Sequence, residues 1–379
     1  MAEQSQYDHA FGARRAAQYQ VQRHRDPSFE ALTALWARLP GGPLCSPFQT
    51  PGFLASFRSH MLTRVSGAFD VLELKSRRDG TPVLLLPLLI RKRGPVRIAS
   101  MPDLSLADQC APVLAGAASL PREDYPAAWA CLRQEITDAD LVDFYNMPEF
   151  IGARPNPLVF LDEAYPVTSN LALDLRLPES EAIWRRKSVF KRVVRKGRRL
   201  NAKGVEFFEA RSSEERMWVY ETLLEQRRRR FDEIGLSNGL ENSDQAAFYA
   251  ALARMEFPDS PAIVLGLKAG DELVAANICM AAGSLLNTVL VSIGDHRWHR
   301  DSPGMVLMAL AIDWAKARGM RQFSFGNGLQ SYKERFGPTP LPMRNLSAPL
   351  TLPGNVYFNI RKAKSAVIAA RRDAQIDLS

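Results

Sequence analysis

Apolar residues recur along the first half of the chain at two spacings, and each spacing predicts a different kind of element. Spacing of three or four residues predicts helices at 28–40 and 50–62, the second with Thr50 as N-cap and Pro51 at the first helical position. Apolar runs bounded by turn residues predict a hairpin over 69–94, with its turn at Asp79-Gly80, and further elements follow. These are a strand at 95–102, a helix at 124–136 and a strand at 140–147.

The second half repeats this order. Helical spacing predicts a long basic helix at 180–203 and another at 213–231. Three strands then follow over 261–295, with turns at Gly270-Asp271 and Gly283-Ser284, and a helix over 303–318 leads to a strand at 321–327. Because the hairpins of the two halves share an apolar strand, a lysine, a Gly/Asp turn and a second apolar strand, we predict two copies of one domain plan.

Length and composition fit two globular domains. The chain has 379 residues, 46% hydrophobic and 24% charged, and the proline-rich stretch 151–169 lacks helical periodicity. We therefore predict four segments along the chain. They are a mobile polar arm (1–26), an N-terminal domain (27–165), a second domain (166–350) and a basic amphipathic C-terminal helix (351–379).

Charge and cysteine usage narrow the function classes. A net charge of +8 favours polyanionic partners such as phosphorylated cofactors, nucleic acid or acidic membrane. The four cysteines are far apart and lack C-x-x-C spacing, so neither a disulfide framework nor a zinc site is indicated. Without an apolar leader or a long apolar run, a cytoplasmic protein is expected, with the C-terminal helix as a candidate weak, peripheral contact with the inner membrane.

Two stretches are candidates for chemistry. In "HRWHRDSPG", a strand leads into a helix through Ser302, Pro303 and Gly304, so free N–H groups at a helix start would face a basic loop containing Arg297 and Arg300. That arrangement suits a pyrophosphate, and the alternative is an ordinary capped helix with a solvated loop. In "FSFGNGLQSYKERFG", an apolar strand breaks at Gly326-Asn327-Gly328 before a Tyr-Lys pair.

Several motifs in order resemble the GCN5-related N-acetyltransferase (GNAT) superfamily, in particular its FemAB-like and cellulose-biosynthesis-associated branch. The basic stretch 183–207, the phosphate loop and helix at 300–319, and the closing segment 323–337 resemble parts of that branch's second domain. The closing segment is similar to the pattern D-F-x-x-G-D-x-x-Y-K-x-x-F/W-G. "SPFQTPGFLASF", "LLLPLLIRKRG" and "LADQCAPVL" match in the first half, so the resemblance spans roughly 45 to 345.

The resemblance implies an α/β (α+β) fold with tandem GNAT-like acyltransferase domains, each a mixed, mostly antiparallel sheet flanked by helices, and it implies that the first domain (27–165) is degenerate. It implies that acetyl-CoA, with no metal, lies in the second domain where the strands at 285–293 and 321–326 splay apart, and that the acceptor amine enters between the domains. The cofactor-binding candidates are Ser302, Gly304, Met305, Arg297, Arg300, Asn327 and Lys333.

Direct attack of an amine on a thioester needs a base, an oxyanion donor and an acid for the leaving thiolate. Tyr332 matches the family's acid position, with packing behind the sheet as the alternative, and Lys333 is a phosphate or structural partner. Ser324, Leu329 and Gln330 stand where the family usually has acidic residues, so the base is expected elsewhere. Asp108 of "LADQCAPV" is a candidate, and a chain of water molecules is the alternative. The acceptor-binding candidates are Arg195, Arg227 and Gln330.

These features favour an N-acyltransferase that acetylates an amino sugar of a bacterial exopolysaccharide or surface polysaccharide, carried on a lipid or a nucleotide. One alternative is FemX-like aminoacyl transfer from tRNA to a peptidoglycan precursor. Another is a non-catalytic effector or scaffold that binds an anionic second messenger or membrane. His296 and His299 lack a visible third metal ligand, and no helix-turn-helix or zinc module points to DNA.

Overall fold

The structure is a computed structural model that describes residues 15–167, 170–178, 182–235, 239–256, 258–328 and 330–376. Its α-helices are α1 (Phe29–Ala37), α2 (Pro51–Met61), α3 (Tyr125–Gln134), α4 (Ser188–Asn201), α5 (Ser213–Ile234), α6 (Ser243–Arg254), α7 (Pro303–Ala317), α8 (Ser331–Glu334) and α9 (Leu352–Ile376). The predicted helix at 180–203 becomes α4 preceded by a 3-10 turn at Ile183–Arg186, and residues 179–181 lie outside the described part.

Strands β1 to β9 are Tyr19–Arg25, Pro43–Leu44, Ala68–Ser76, Pro82–Arg93, Val96–Ser100, Val113–Ala115, Leu141–Pro148, Phe150–Ile151 and Arg154–Pro155. Strands β10 to β18 are Ala164–Val167, Asn170–Asp174, Val205–Ala210, Ala262–Ala269, Glu272–Ala282, Leu285–Ile293, Gln322–Asn327, Thr339–Pro340 and Met343–Pro349. The predicted strands and hairpins of both halves are present.

The first sheet has the order β1-β3-β4-β5-β7-β18-β10, with β2 and β6 attached through β4. Its edge strand β1 corrects the prediction of a mobile arm over 1–26, because residues 19–25 pair antiparallel with β3. Arg23 holds the strand in place, since its guanidinium donates to the buried carboxylate of Asp70. Residues 1–14 lie outside the described residues.

The second sheet has the order β12-β13-β14-β15-β16-β11-β17. The C-terminal strand β18 is not part of it, although the predicted second domain extends to residue 350; β18 pairs with β7 and β10 in the first sheet. The chain therefore crosses back to the first domain after β17, and the first sheet takes β18 from beyond the predicted boundary.

The two sheets repeat one architecture, as the similar hairpins predict. In each, three antiparallel strands are followed by a parallel pair, β5 with β7 in the first sheet and β15 with β16 in the second. The parallel pairing is short in both, from Ile98↔Leu141 to Ala99↔Val142 and from Leu285↔Gln322 to Asn287↔Ser324. Beyond these pairs the strands separate, so each domain has a splay.

Bulges explain why the strands separate. In β15, Val289 is an extra residue, because Ile278 pairs with Leu290 while Cys279 pairs with Thr288. In β16 the bulge includes Gly326, whose φ of 71° is accessible to glycine at little cost. An extra residue bends its strand and increases the local twist, so two bulged neighbours diverge. The first domain has the equivalent bulge in β7, where Asn146 has a φ of 51°.

One hydrophobic core joins the domains. α2 of the first domain packs on α6 of the second, with the rings of Phe53 and Phe248 5.1 Å apart, centroid to centroid. The approach is close enough that a Cβ on Gly52 would lie 2.0 Å from the Asp259 carbonyl oxygen. A packed interface of this kind resists displacement, so residues of both domains can form one site.

Helix α9 lies against the first domain. Tyr357 and Phe358 pack on the small apolar cluster that β5 and β7 provide. Val356 and Ile360 of the same helix face away from that contact, since they are 60% and 51% exposed. No helix among the described residues has the length and apolarity needed to cross a membrane.

Candidate functional site

The splay of the second domain leaves an open strand edge. The Gly294 N–H donates to the Val274 carbonyl at 2.9 Å, so alternate residues of β15 face β14. Val291 and Ile293 alternate with the residues that face β14. Their peptide groups therefore point to the opposite side of β15, where β16 no longer pairs with it. Among the described side chains, Arg227 reaches this edge, donating from Nη1 to the Val291 carbonyl at 3.0 Å. The open edge is the feature that can pair with an extended ligand.

A cavity of about 390 Å³ lies against this edge. Its walls come from α5, from the end of β15 with the following loop, and from the first turn of α7. Three cations of α5 line it (Arg227, Arg229 and Arg230), together with Ser302, Gly304 and Met305. The cavity thus joins the predicted phosphate loop to Arg227, which is one of the predicted acceptor-binding residues.

The first turn of α7 differs from the predicted arrangement. Ser302 does not cap the helix with its side chain; its backbone is left-handed, with φ of 50°. The N–H groups of Ser302 and Met305 already donate to His299 and Ser302 carbonyl oxygens at 3.0 Å. Among the described residues, the Gly304 N–H has no acceptor, so this amide is the one that an anion can use.

Helix α4 supplies a cation that the sequence reasoning missed. Lys196 Nζ donates to Ser302 Oγ at 2.6 Å, at the rim of the cavity. The buried carboxylate of Asp301 holds α4 in this position through ion pairs with Arg199 and Lys203 at 2.5 and 2.7 Å. Lys203 and Arg199 keep the pKa of Asp301 below its usual range. The predicted neighbour Arg195 is exposed and contacts no described residue of the cavity.

Two of the predicted phosphate ligands point elsewhere. Arg297 forms an ion pair with Glu272 and lies over the Trp298 ring, so it does not line the cavity. Arg300 is exposed and also lies outside the lining. His296 Nε2 forms a hydrogen bond with Glu233 Oε1 at 3.0 Å. The described residues contain no group of three or more His, Cys, Asp or Glu side chains that could hold a metal ion.

Asp108 crosses from the first domain into the splay of the second. The loop after β5 carries it there, and its carboxylate binds both separating strands. Oδ2 accepts from Asn287 Nδ2 of β15 at 2.6 Å, and Oδ1 accepts from the Asn327 N–H of β16 at 3.1 Å. Burial raises the pKa of Asp108 despite these donors. The structure thus brings the predicted base to the point where β15 and β16 part.

Lys333 holds the loop after β16. Its buried ammonium donates to the carbonyl oxygens of Gly326, Asn327 and Gly328 at 3.2, 2.7 and 3.0 Å, which uses all three protons. Burial lowers its pKa to about 8, and Asp108 opposes that shift. Of the two roles predicted for Lys333, the structural one fits this geometry, and Asn327 contributes backbone groups rather than its side chain.

Tyr332 follows on α8 and is half-buried against the core of the second domain. Burial raises its pKa, and its hydroxyl has no hydrogen-bond partner among the described residues. Gln330 is exposed at the start of α8, Ser324 is buried in β16, and Leu329 lies outside the described residues. Of these positions, Tyr332 is the one that offers an uncommitted proton donor.

Two asparagines beside Asp108 were also missed. Asn287 and Asn170 both donate to Asp108, to its side chain and its carbonyl, and in both the buried Oδ1 lacks a partner. Unpaired buried acceptors are costly, so they are expected to bind a polar ligand group or water. Asn287 interrupts the apolar run "LLNTVLV", and that polar position within a strand was the available signal.

Comparison with known proteins gives this geometry a family. The model for the "Acetyltransferase (GNAT) domain" matches residues 185–334, the segment from the turn before α4 to α8. This segment is a GNAT-type acyltransferase domain. The GNAT domain contains the splay, the cavity and Tyr332, whereas Asp108 reaches it from the preceding domain. The narrower FemAB-like assignment remains a prediction.

Solved structures show the same fold over both domains. FemX aligns with a TM-score of 0.58 and 10% identity, covering 88% of this chain and 98% of its own. A conserved protein of unknown function from Bacteroides thetaiotaomicron aligns at 0.53 and 13%, covering 86% and 98%. A search of curated proteins gave no match. At these identities the likeness concerns the fold, and the tandem arrangement extends beyond the GNAT segment.

Proposed function

We propose that this protein is an acetyl-CoA-dependent N-acyltransferase whose acceptor is an amino sugar of a bacterial surface or extracellular polysaccharide. The observation that carries the proposal is the open edge of β15 beside a cavity of about 390 Å³ at the start of α7. Peptide groups along the edge can pair with the amides of the pantetheine arm of acetyl-CoA. The Gly304 N–H, Lys196 and the α5 arginines can bind the phosphates of the same molecule.

When bound, acetyl-CoA supplies an acyl thioester. In this proposal Asp108 takes a proton from the incoming amine, since each of its carboxylate oxygens accepts one hydrogen bond and keeps a lone pair. Tyr332 donates its proton to the sulfur as the C–S bond breaks and the new C–N bond forms. The unpaired Oδ1 atoms of Asn287 and Asn170 can orient the acceptor's ammonium or hydroxyl groups.

Binding and transfer can be measured separately. Acetyl-CoA at 100 times its Kd should stabilise the folded protein by about 2.7 kcal/mol in a thermal-shift titration. Thiol release with a panel of amino sugars, followed by mass spectrometry of the acetylated product, then tests the acceptor. Absence of any thermal shift at millimolar acetyl-CoA would remove the donor, while a shift without turnover on any amino sugar would remove the acceptor class.

The solvent face of α4 favours aminoacyl transfer from tRNA to a peptidoglycan precursor as a second candidate. Lys191, Arg195 and Arg198 are exposed and form no ion pair with described residues, which is the surface that a long polyanion requires. Titration with aminoacyl-tRNA discriminates the candidates, since tRNA binding should weaken steeply with salt and depend on these side chains. Equal binding by a triple alanine variant would contradict this alternative.

A further inference from the structure

The first domain keeps a cavity at its own splay. It measures about 420 Å³ and is lined by residues of β4, β5, β7 and the loop after β5, with Arg64 and Gln245 closing it. Because β5 and β7 separate after Ala99↔Val142, this cavity corresponds in topology to the cleft of the second domain. Asp143 and Tyr145 of β7 line its inner wall.

The cations of this cavity are incompletely paired. Arg91 and Arg93 form no ion pair with described residues, and Arg91 Nε is buried without a hydrogen-bond partner. Arg64 approaches Asp244 at 3.7 Å, which leaves donors of its guanidinium free. The three arginines also line a wider depression of about 690 Å³ that contains no carboxylate. Positive charge is thus concentrated at the mouth of the cavity.

The carboxylates of the cavity do not cancel this charge. Asp143 is already bound by Arg361 of α9, by Ser347 at 2.6 Å and by Tyr145. Asp103 Oδ1 accepts hydrogen bonds from the Ser105 and Ala107 N–H groups at 3.0 and 3.1 Å. One of its two carboxylate oxygens is therefore already bound within its own loop. Burial raises the pKa of Asp103, which reduces the charge it would oppose to an anion.

We propose that this cavity binds a nucleotide, with its phosphates on Arg64, Arg91 and Arg93 and its base in the interior. Guanidinium groups bind phosphate oxygens through paired, charge-assisted hydrogen bonds. The interior offers apolar contact from Ile98, Met101 and Leu104, and hydrogen bonds from Gln245 and Asp103. A volume of about 420 Å³ falls within the range of small-ligand sites. The inference is independent of the proposed acetyl transfer.

Isothermal titration of the full chain with inorganic pyrophosphate, ADP, GDP and UDP tests the proposal. The wild type should bind at least one nucleotide more tightly than pyrophosphate, because the base adds contacts inside the cavity. The double variant Arg91→Ala/Arg93→Ala should bind at least about tenfold more weakly. Arg97→Ala removes one positive charge from the same hairpin. Because Arg97 is exposed and lies outside the lining, this variant should leave binding within about twofold.

Three results would overturn the proposal. They are no binding of any probe by the folded wild type, equal loss in Arg97→Ala and the double variant, and loss of nucleotide binding in Lys196→Met, which alters only the second-domain cavity. If the double variant fails to fold by circular dichroism, Arg93→Gln serves in its place, because Arg93 is exposed and contacts solvent at the mouth. Retained affinity in that variant would equally contradict the proposed phosphate site.

Discussion

At the scale of single residues, Asp108 is subject to two opposing effects. Asn287 and the Asn327 N–H stabilise its carboxylate, yet burial at the splay raises its pKa. A carboxyl group kept basic by its surroundings is suited to accept a proton near neutral pH. If Asp108 only linked the two domains, a fully stabilised carboxylate with a lowered pKa would hold them together better.

Asp108→Asn should separate these roles. We expect kcat to fall about 100-fold or more, because the base is lost, while the Kd of acetyl-CoA changes less than threefold. The exposed Asp271→Asn, in the β13–β14 turn, is the matched control. A large loss of folding stability with only a small loss of kcat would instead identify Asp108 as a structural link.

The pH dependence of folding stability also reports whether the pKa of Asp108 is raised in the folded protein. A native pKa above the unfolded value means that the folded state binds more protons in between, so wild-type stability falls as pH rises through that window. Asp108→Asn lacks this group and should gain stability relative to wild type across the window, with no gain below the ordinary pKa of aspartate. Denaturant unfolding at several pH values measures the difference, and a gap independent of pH would contradict the raised pKa.

Tyr332→Phe tests the proposed acid. Because the hydroxyl has no partner among the described residues, we expect the free energy of unfolding to change by less than about 0.5 kcal/mol. Turnover should fall about 100-fold with acetyl-CoA binding retained, since proton donation to the thiolate is lost. Wild-type kcat in the variant would return Tyr332 to a packing role behind the sheet.

At the scale of elements, the phosphate loop depends on how α4 docks on α7. Gly197 of α4 faces Val306 of α7, where an added Cβ would lie 3.5 Å from Val306 Cγ1. This contact and the Asp301 ion pairs set the rotation of α4, so Lys196 points to Ser302 and Arg195 to solvent. Docking, rather than charge alone, therefore selects the cation that reaches the cavity.

Lys196→Met and Arg195→Met form a matched pair on this helix. The first should weaken acetyl-CoA binding about tenfold, because a charge at the rim of the cavity is removed, and the second less than twofold. Titrations at low and high salt should show a reduced salt dependence for Lys196→Met. Equal weakening by both variants would mean that diffuse charge on α4, and not the contact with Ser302, holds the phosphates.

Gly304 can be tested against its own neighbour. An added Cβ would lie 3.0 Å from Ile293 Cδ1, so Gly304→Ala must displace that side chain or whatever binds beside it. We expect about tenfold weaker acetyl-CoA binding with little change in stability, since alanine suits a helix better than glycine. Ile293→Ala in the same chain removes the internal contact; if binding then recovers, the glycine serves Ile293 and not the ligand.

These elements also show what sequence can predict. Spacing predicted the strands and the phosphate helix, and motif resemblance predicted Asp108 and Tyr332, because each is encoded locally. Pairing partners far apart in sequence are not. The predicted second domain therefore wrongly includes residues 343–349, which form β18 of the first sheet, and the predicted arm wrongly includes residues 19–25, which form β1. Adjacent cations such as Arg195 and Lys196 give the same signal in sequence, and tertiary docking alone distinguishes them.

At the scale of the whole molecule, the shared core and the crossing strand β18 make the two domains one unit. α9 is also bound to the first domain by an ion pair, which Arg361 forms with the buried carboxylate of Asp143 beside the first-domain cavity. Its guanidinium also donates to Ser347 Oγ at 3.2 Å and to the Tyr145 hydroxyl at 2.9 Å. The hydrogen bonds with Asp143 raise the pKa of Arg361 further above its usual range.

Arg361→Ala should therefore lower the free energy of unfolding by about 3 kcal/mol, because it leaves Asp143 buried without a cation. Lys362→Ala, one residue along the helix and exposed, should change it by less than about 0.5 kcal/mol. Asp143→Asn combined with Arg361→Met should recover most of the loss, since the double variant removes the buried charge together with its partner. Denaturant unfolding of the four proteins, wild type included, measures these changes. Wild-type stability of Arg361→Ala would show that α9 is held by its apolar contacts with β5 and β7 and that the ion pair contributes little.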